Sequence, residues 1–342
     1  MSWLTDGDDE AWSEYDETDA RVRANPRGTK PRTKRRPEHS DADSGRVFSV
    51  DRGRYGVWMD EGTSAERQVV ATRARELGRK AIVTGDRVDL VGDTSGSEGS
   101  LARIVRVQPR TTILRRSADD TDEVERVIVA NADQMLIVIA AANPEPRPRL
   151  VDRYLVAAYD AGIHPIVCVT KTDLADPSEF LAAFGGLDLT VVLSRSDDVP
   201  IEELTQLLDG HTSVAVGHSG VGKSTLVNAL VPEANRATGH VNEVTGRGRH
   251  TSSSTVSYRF GSGWIVDTPG VRSFGLGHVD PANIIGAFTD LAAVAEECPR
   301  GCTHLSDAPD CAIEEAVERG ELGETGRQRF ASLQRLLATL AG

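Results

Sequence analysis

The sequence predicts a multidomain protein: a small closed β-barrel of the OB-fold type, an α/β domain on a largely parallel sheet, and a small α-helical module. Three observations predict it. Five short β-rich segments, separated by Gly, Asp or Ser turns, crowd into about seventy residues from Gly45, as in a small barrel. From Val124, strand-like and helix-like stretches alternate, which implies a parallel sheet with helices on both faces. Near the C-terminus, three cysteines and a histidine fall within fourteen residues, ahead of an amphipathic stretch. The boundaries follow: a charged tail over 1–44, the barrel over 45–117, the α/β domain over 118–279 and the helical module over 280–342.

Bulk properties bound the rest. The 342 residues, 39% of them hydrophobic, leave room for two or three cored domains. The longest apolar run, Met135 to Ala142, is too short to span a bilayer. The first residues lack a basic stretch followed by an apolar one, so no secretory signal and a cytoplasmic location are expected. Four cysteines, three of them close together, suggest a reducing compartment and a metal rather than a disulfide framework. A net charge of −13 argues against a uniformly basic nucleic-acid binder, though not against local basic patches.

Residues 1–20 carry eight acidic side chains and no basic one, and residues 21–37 carry eight Lys or Arg and no acidic one. Such blocks bury too little apolar surface to offset chain entropy, so 1–44 is expected to be disordered. It is either a phosphate-seeking arm for RNA or a solvated tail whose halves attract each other. The barrel strands are Gly45–Val50, Arg54–Met59, Gln68–Thr72, Arg87–Val91 and Leu101–Val107. Arg103, Arg106, Arg110, Arg115 and Arg116 gather near its end. They form a basic face for nucleic acid, or they are solvated arginines on a barrel used for packing.

In the α/β region, Val127–Val129, Met135–Ile139, Pro165–Val169 and Leu189–Leu193 are strand-like. Val151–Ala161 is helical, with Val151, Tyr154, Leu155, Ala158 and Tyr159 on one stripe. Asp176-Pro177-Ser178-Glu179 carries helix-start signals, and Ile201, Leu204, Leu207 and Leu208 mark a helix ending at Gly210. The strand Ser213–Val216 then leads into Gly217-His218-Ser219-Gly220-Val221-Gly222-Lys223-Ser224-Thr225 and a helix through Leu230. This fits G-x-x-x-x-G-K-[ST], the phosphate-binding P-loop. Its backbone N–H groups and the helix dipole favour phosphate. Lys223 would reach the β- and γ-phosphates, and the Ser224 hydroxyl would hold Mg²⁺.

Thr170-Lys171-Thr172-Asp173 closes the strand Pro165–Val169. An N/T-K-x-D turn there presents a carboxylate to the paired donors of guanine, with the Lys stem along the purine. Adenine lacks that donor pair, so Asp173 would select GTP over ATP. Thr170 stands where Asn is commoner. Ser194-Arg195-Ser196, after the next strand, would form a turn around the base. Trp264–Gly270 is a strand ending in D-x-P-G. Asp267 would hold Mg²⁺ through water, and the Gly270 N–H would meet the γ-phosphate. Between P-loop and D-x-P-G lies a hydroxyl-rich segment from Gly246 to Ser254. There Thr251, with Ser252 next, is the candidate Mg²⁺-binding hydroxyl of a switch loop.

Ordinary GTPases run P-loop, switch, D-x-x-G, then N/T-K-x-D. This chain runs Thr170–Asp173 first and Asp267–Gly270 last, a circular permutation. With the preceding barrel, the segment Asp152-Arg153-Tyr154-Leu155-Val156-Ala157, the R-H-T switch, D-T-P-G-V-R-x-F-G and the C-terminal Cys/His cluster, the chain resembles the RsgA (YjeQ) family of ribosome-small-subunit-dependent GTPases over roughly 45–320. The resemblance implies a GTPase that binds the 30S subunit and its 16S rRNA, is stimulated by the subunit and serves its late maturation. Val271 follows D-T-P-G where many GTPases place a water-orienting Gln. The resemblance points instead to His250 as the catalytic group. The alternatives are a solvated loop histidine at 250, or His218 within the P-loop.

Cys298, Cys302, His304 and Cys311 suit a closed tetrahedral Cys₃His zinc site; the other reading is free reduced thiols. Their spacing, C-x3-C-x-H-x6-C, departs from the family's C-x4-C-x-H-x5-C by one residue in each loop. Cys168 lies in a strand and is expected in the core. From Arg327, Phe330, Leu333, Leu336, Leu337 and Leu340 mark an amphipathic helix. The expected fold class is thus an OB-fold β-barrel, a circularly permuted P-loop GTPase domain of α/β type, and a small α-helical zinc-binding domain. The expected cofactors are GTP, Mg²⁺ and Zn²⁺, and a monomer is expected. Two other functions compete: a GTP-gated rRNA-binding module with incidental turnover, and a P-loop kinase using ATP, which Asp173 disfavours.

Overall fold

The structure is a computed structural model that describes residues 39–78, 81–117, 125–232, 234, 255–268, 274 and 276–340. Most of the charged tail lies outside these residues, as do His250, Thr251, Gly270 and Val271. The tail's last residues do not stay irregular: the first strand already begins at Asp43.

Five strands close the barrel: β1 (Asp43–Asp51), β2 (Arg54–Met59), β3 (Arg67–Arg73), β4 (Arg87–Gly92) and β5 (Ala102–Val107). The pairing runs β1-β2-β3-β5-β4 and back to β1, with β3–β5 parallel and the rest antiparallel. Closure leaves no open edge. Period-two alternation sends Tyr55, Val57 and Met59 of β2, Val69 and Ala71 of β3, and Ala102 and Ile104 of β5 into one core. Bulges after Val47 and at Asp89 bend the strands enough to close. Two of the five arginines near the barrel's end are committed internally. Arg106 pairs with Asp89 at 2.5 Å, and Arg110 grips the fully buried Asp86 at 2.7 and 2.8 Å.

A hairpin of β6 (Ile113–Ser117) and β7 (Glu125–Ala130) follows the barrel. The second sheet comprises β8 (Gln134–Ala140), β9 (His164–Thr170), β10 (Thr190–Leu193), β11 (Thr212–Val216), β12 (Val256–Phe260) and β13 (Gly263–Asp267). Its order is β10-β9-β8-β11-β13-β12, parallel except for β12. β8 is buried throughout and serves two cores by alternation. Met135, Ile137 and Ile139 face α1 (Pro148–Asp160) and the C-terminal helices. Leu136, Val138 and Ala140 face α3 (Ile201–Leu208) and α4 (Lys223–Leu230). Cys168 lies in this second core, where burial pushes its thiol up to about 12. The short α2 (Ser178–Ala182) begins where expected, with Asp176 accepting from the Ser178 N–H at 3.0 Å and from its hydroxyl at 2.6 Å.

The helical module contains α5 (Pro281–Gly286), α6 (Thr289–Ala295), α7 (Ala312–Glu318) and α8 (Gly323–Ala338). The Asp280 carboxylate caps α5 by accepting from Ala282 N at 3.0 Å, with Pro281 at its first position. Among the described residues no helix is long and apolar enough to cross a membrane.

Barrel and parallel sheet meet along β1 and β12, at Ser49 and Val256. The Arg46 and Arg259 guanidinium groups each lie 5.2 Å from the Trp264 ring centroid, and Arg46 donates to Thr212 Oγ1 at 3.0 Å.

Candidate functional site

The carboxyl ends of β9, β8, β11 and β13 carry the candidate residues, the edge where open α/β sheets place ligands. β11 ends at Val216, and the chain turns through Gly217–Gly222 into α4. Glycine is required twice. A Cβ at Gly217 would lie 2.4 Å from the Val138 carbonyl oxygen, and Gly222 caps α4 at φ 92°, a left-handed conformation. Ser219, Gly220, Ser224 and Thr225 are exposed, while Val221 is buried. Lys223 is 9% exposed and pairs with Asp267 at the end of β13. One residue on, the buried Thr268 hydroxyl donates to Ala215 O at 2.7 Å and ties this strand end to β11.

Thr170–Asp173 packs against the same turn. The Thr170 hydroxyl is buried, 2.5 Å from Val221 O and 3.1 Å from Ile139 O. These bonds join the T-K-x-D segment to the P-loop backbone and to β8. Lys171 adopts a left-handed φ of 57°. Its Nζ donates to Gly220 O at 2.8 Å and to Asn143 O. The chain leaving β8 through Asn143 and Pro144 therefore also borders the site. The sequence reading missed that segment, although a loop at the end of a central parallel strand was the available signal. Asp173 is exposed and accepts from Ser196 N at 2.7 Å. That N–H bond holds its carboxyl below the usual range. Thr172 N and Oγ1 both donate to Ser194 O at 3.2 Å, so the Ser194–Ser196 turn sits against T-K-x-D. His218 is half-buried beside Ser219, with Nδ1 2.9 Å from its carbonyl.

Elsewhere in the fold, the ligand atoms of Cys298, Cys302, His304 and Cys311 all lie within 4.8 Å of one another. His304 Nδ1 is 3.7 Å from Cys298 Sγ and 3.6 Å from Cys311 Sγ. Tetrahedral Zn–S and Zn–N bonds put such atoms about 3.6 Å apart, so the donor set and its spacing fit a zinc ion. Gly301 takes φ 83° before Cys302, and His304 itself takes φ 55°. Cys311 sits at the start of α7, whose Ile313 and Glu314 N–H groups favour a thiolate, while burial pushes its thiol up to about 11. Burial holds the His304 imidazole below its usual value, in the neutral form a metal needs.

The family model described as RsgA GTPase matches residues 107–277. A Pseudomonas syringae pv. tomato protein named small ribosomal subunit biogenesis GTPase RsgA is 39% identical over 269 residues, covering 76% of this chain and 75% of that one. A Pseudomonas aeruginosa protein of the same name is 37% identical over 295 residues, covering 84% and 83%. The crystal structure of YjeQ from Thermotoga maritima superposes with a TM-score of 0.64 at 25% identity, over 88% of this chain and 99% of that one. YloQ, described as a circularly permuted GTPase, shares the fold at a TM-score of 0.62 and 23% identity, over 88% and 96%. The P-loop lies downstream of T-K-x-D, the barrel precedes both, and the relatives match over three quarters of their length: the chain belongs to the RsgA GTPase family.

Proposed function

We propose that this GTP hydrolase acts on the small ribosomal subunit, binding it through 16S rRNA late in its maturation and hydrolysing GTP faster when bound. The observation that carries the nucleotide half is the fastening of Thr170–Asp173 onto the P-loop, which sets a guanine-type carboxylate beside a phosphate-type turn. The names of the relatives support the ribosomal half. The cytoplasm is the compartment such a partner requires, and the protein acts as a monomer.

Each site residue has a role in this reading. The backbone of Gly217, His218, Ser219, Gly220, Val221 and Gly222 cradles the phosphates, with Lys223 on the β- and γ-phosphates. Ser224 and Asp267 hold Mg²⁺, and Thr225 extends the helix start. Mg²⁺ supplies charge neutralisation at the phosphates. Lys223 must exchange Asp267 for phosphate oxygens when nucleotide enters. Asp173 accepts from the guanine edge, and Lys171 and Thr172 hold the loop. His250, Thr251 and Gly270 lie outside the described residues. From sequence they orient water, hold Mg²⁺ and donate to the γ-phosphate. Cys298, Cys302, His304 and Cys311 hold zinc in a structural role.

The test is turnover of GTP with and without purified 30S subunits. Stimulation supports the reading; unstimulated turnover with GTP-dependent docking favours the gated rRNA binder. Tighter binding of ATP than GTP overturns it, and undiminished stimulated hydrolysis in His250→Ala removes that histidine from the chemistry.

A further inference from the structure

The four cysteines of the chain divide between two cores. Cys168 is fully buried with Leu136, Val138 and Leu204, and among the described residues no second sulfur lies in that core. Cys298, Cys302 and Cys311 border the other core, and their sulfurs lie within 4.8 Å of one another and of a His304 ring nitrogen. Exposure splits this cluster in turn. Cys311 and His304 are 2% and 7% exposed, whereas Cys298 and Cys302 are only half-buried. A small oxidant arriving from solvent therefore meets those two sulfurs first. The chain between them doubles back. Cys302 N donates to Pro299 O at 3.1 Å, and Gly301 takes φ 83°, which glycine adopts without strain. An S–S bond is about 2.05 Å long, so sulfurs already this close need only a short approach, while Cys168 has no partner to approach.

We propose that Cys298 and Cys302 are a peroxide-sensitive pair whose oxidation to a disulfide opens the cluster. One of the two sulfurs attacks a peroxide oxygen, the O–O bond breaks, water leaves and the sulfur carries an OH group. The other sulfur attacks it, the S–O bond breaks and a second water leaves as the S–S bond forms. The two thiols together lose two electrons and two protons, and one hydrogen peroxide takes them up to become two waters. A metal holds its thiol ligands as thiolates, the nucleophilic form, so the sulfurs that anchor it are also those that react. Their loss leaves Cys311 and His304, half of a tetrahedral set. Cys311 starts α7 and shares a core with Ile313 of α7 and with Phe330, Leu333 and Leu336 of α8, so opening the cluster loosens the helical module. The P-loop and α4 rest on the other core through Val221, Leu226 and Val227, and the nucleotide site stays intact.

The inference rests on the cluster being a zinc site, and the two are tested separately. The reduced full-length chain is first assayed for zinc by elemental analysis. A chain without zinc overturns the metal reading, and the bond mapped below then decides the thiol pair alone. Hydrogen peroxide is next added in the presence of a chromogenic chelator. One equivalent of zinc is released per chain as two of the four thiols disappear, and peptide mass spectrometry finds Cys298 joined to Cys302. A thiol reductant with added zinc restores both counts, and Cys168→Ala releases its zinc at the same rate. The melting temperature of the oxidised chain falls, while its affinity for a fluorescent GDP analogue changes by less than about twofold, since the two cores open independently. Zinc retained at a peroxide dose that oxidises free cysteine overturns the inference. So does a bond that includes Cys311 or Cys168, sulfinic acid in place of the disulfide, or a loss of GDP affinity that parallels zinc release.

Discussion

The Thr170 hydroxyl lies 2.5 Å from the carbonyl oxygen of Val221, so one buried side chain fastens the T-K-x-D segment to the P-loop. The two segments are 51 residues apart in the chain. Thr170→Val keeps the shape and deletes the donor. It is expected to lower stability by about 1–2 kcal/mol, the cost of a buried carbonyl left without its partner, and to weaken GDP binding severalfold. Thermal unfolding and a fluorescence titration read the two effects; an unchanged melting temperature would show that the hydroxyl is dispensable.

Asp173→Asn exchanges a pair of acceptor oxygens for one acceptor oxygen and an NH₂ group that donates. GTP affinity is expected to fall about a hundredfold or more, while xanthosine triphosphate, which offers a carbonyl where guanine has its amino group, binds better than before. The pH dependence follows from the Ser196 N–H, which depresses the Asp173 carboxyl in the folded chain. The ionised form is complete above the ordinary value of about 3.9 and is lost only as pH falls through the lowered one. Preference for GTP over ATP therefore persists from pH 8 to pH 5. A loss of preference near pH 5 would contradict this account.

Arg46 tests the joint between barrel and sheet. It is 4% exposed, its Nε has no partner among the described residues, and burial brings its pKa down to about 10. That shift corresponds to about 3 kcal/mol against the charged form, net of the attraction of the nearby Glu61 and Asp133 carboxylates. A base with a lowered folded pKa carries this cost in full at neutral pH and sheds it as pH rises through about 10. Arg46→Met is therefore expected to raise stability by about 1 kcal/mol at pH 7 and to flatten the rise in stability between pH 9 and pH 11. Denaturant unfolding at both pH values checks it. Destabilisation by more than about 1 kcal/mol would mean that the cation–π contact outweighs desolvation.

Removal of metal is predicted to act on the helical module. Purified under reducing conditions, the chain is expected to carry one zinc by elemental analysis. Chelation, or Cys302→Ser, should lower the melting temperature, because Cys311 and His304 are buried beside α7 and α8. Cys168→Ala, in the other core, should retain the zinc. Retention of full stability after complete zinc loss would reduce the cluster to incidental thiols.

What could be read from sequence was what depends on neighbours along the chain. The alternation in β2, β3 and β5 marks a barrel wall, and the glycines of 217–222 mark a turn that a Cβ would block. The double face of β8 was visible only as an unbroken apolar run, since both of its sides are covered. Contacts between distant segments were not legible. Nothing local says that Thr170 reaches Val221, that Arg153 reaches Phe274, or that Arg106 and Arg110 are spent on Asp89 and Asp86. Those follow from which strands are adjacent, and a permuted order makes sequence distance a poor guide to adjacency.

β1 belongs to two sheets. It closes the barrel through β2 and β4, and its Ser49 also pairs with Val256 at the start of β12, the antiparallel outer strand of the parallel sheet. An uncovered outer strand is a template for a second chain. A protein begun after the barrel would leave the outer backbone edge of β12 without the strand neighbour it has at Val256.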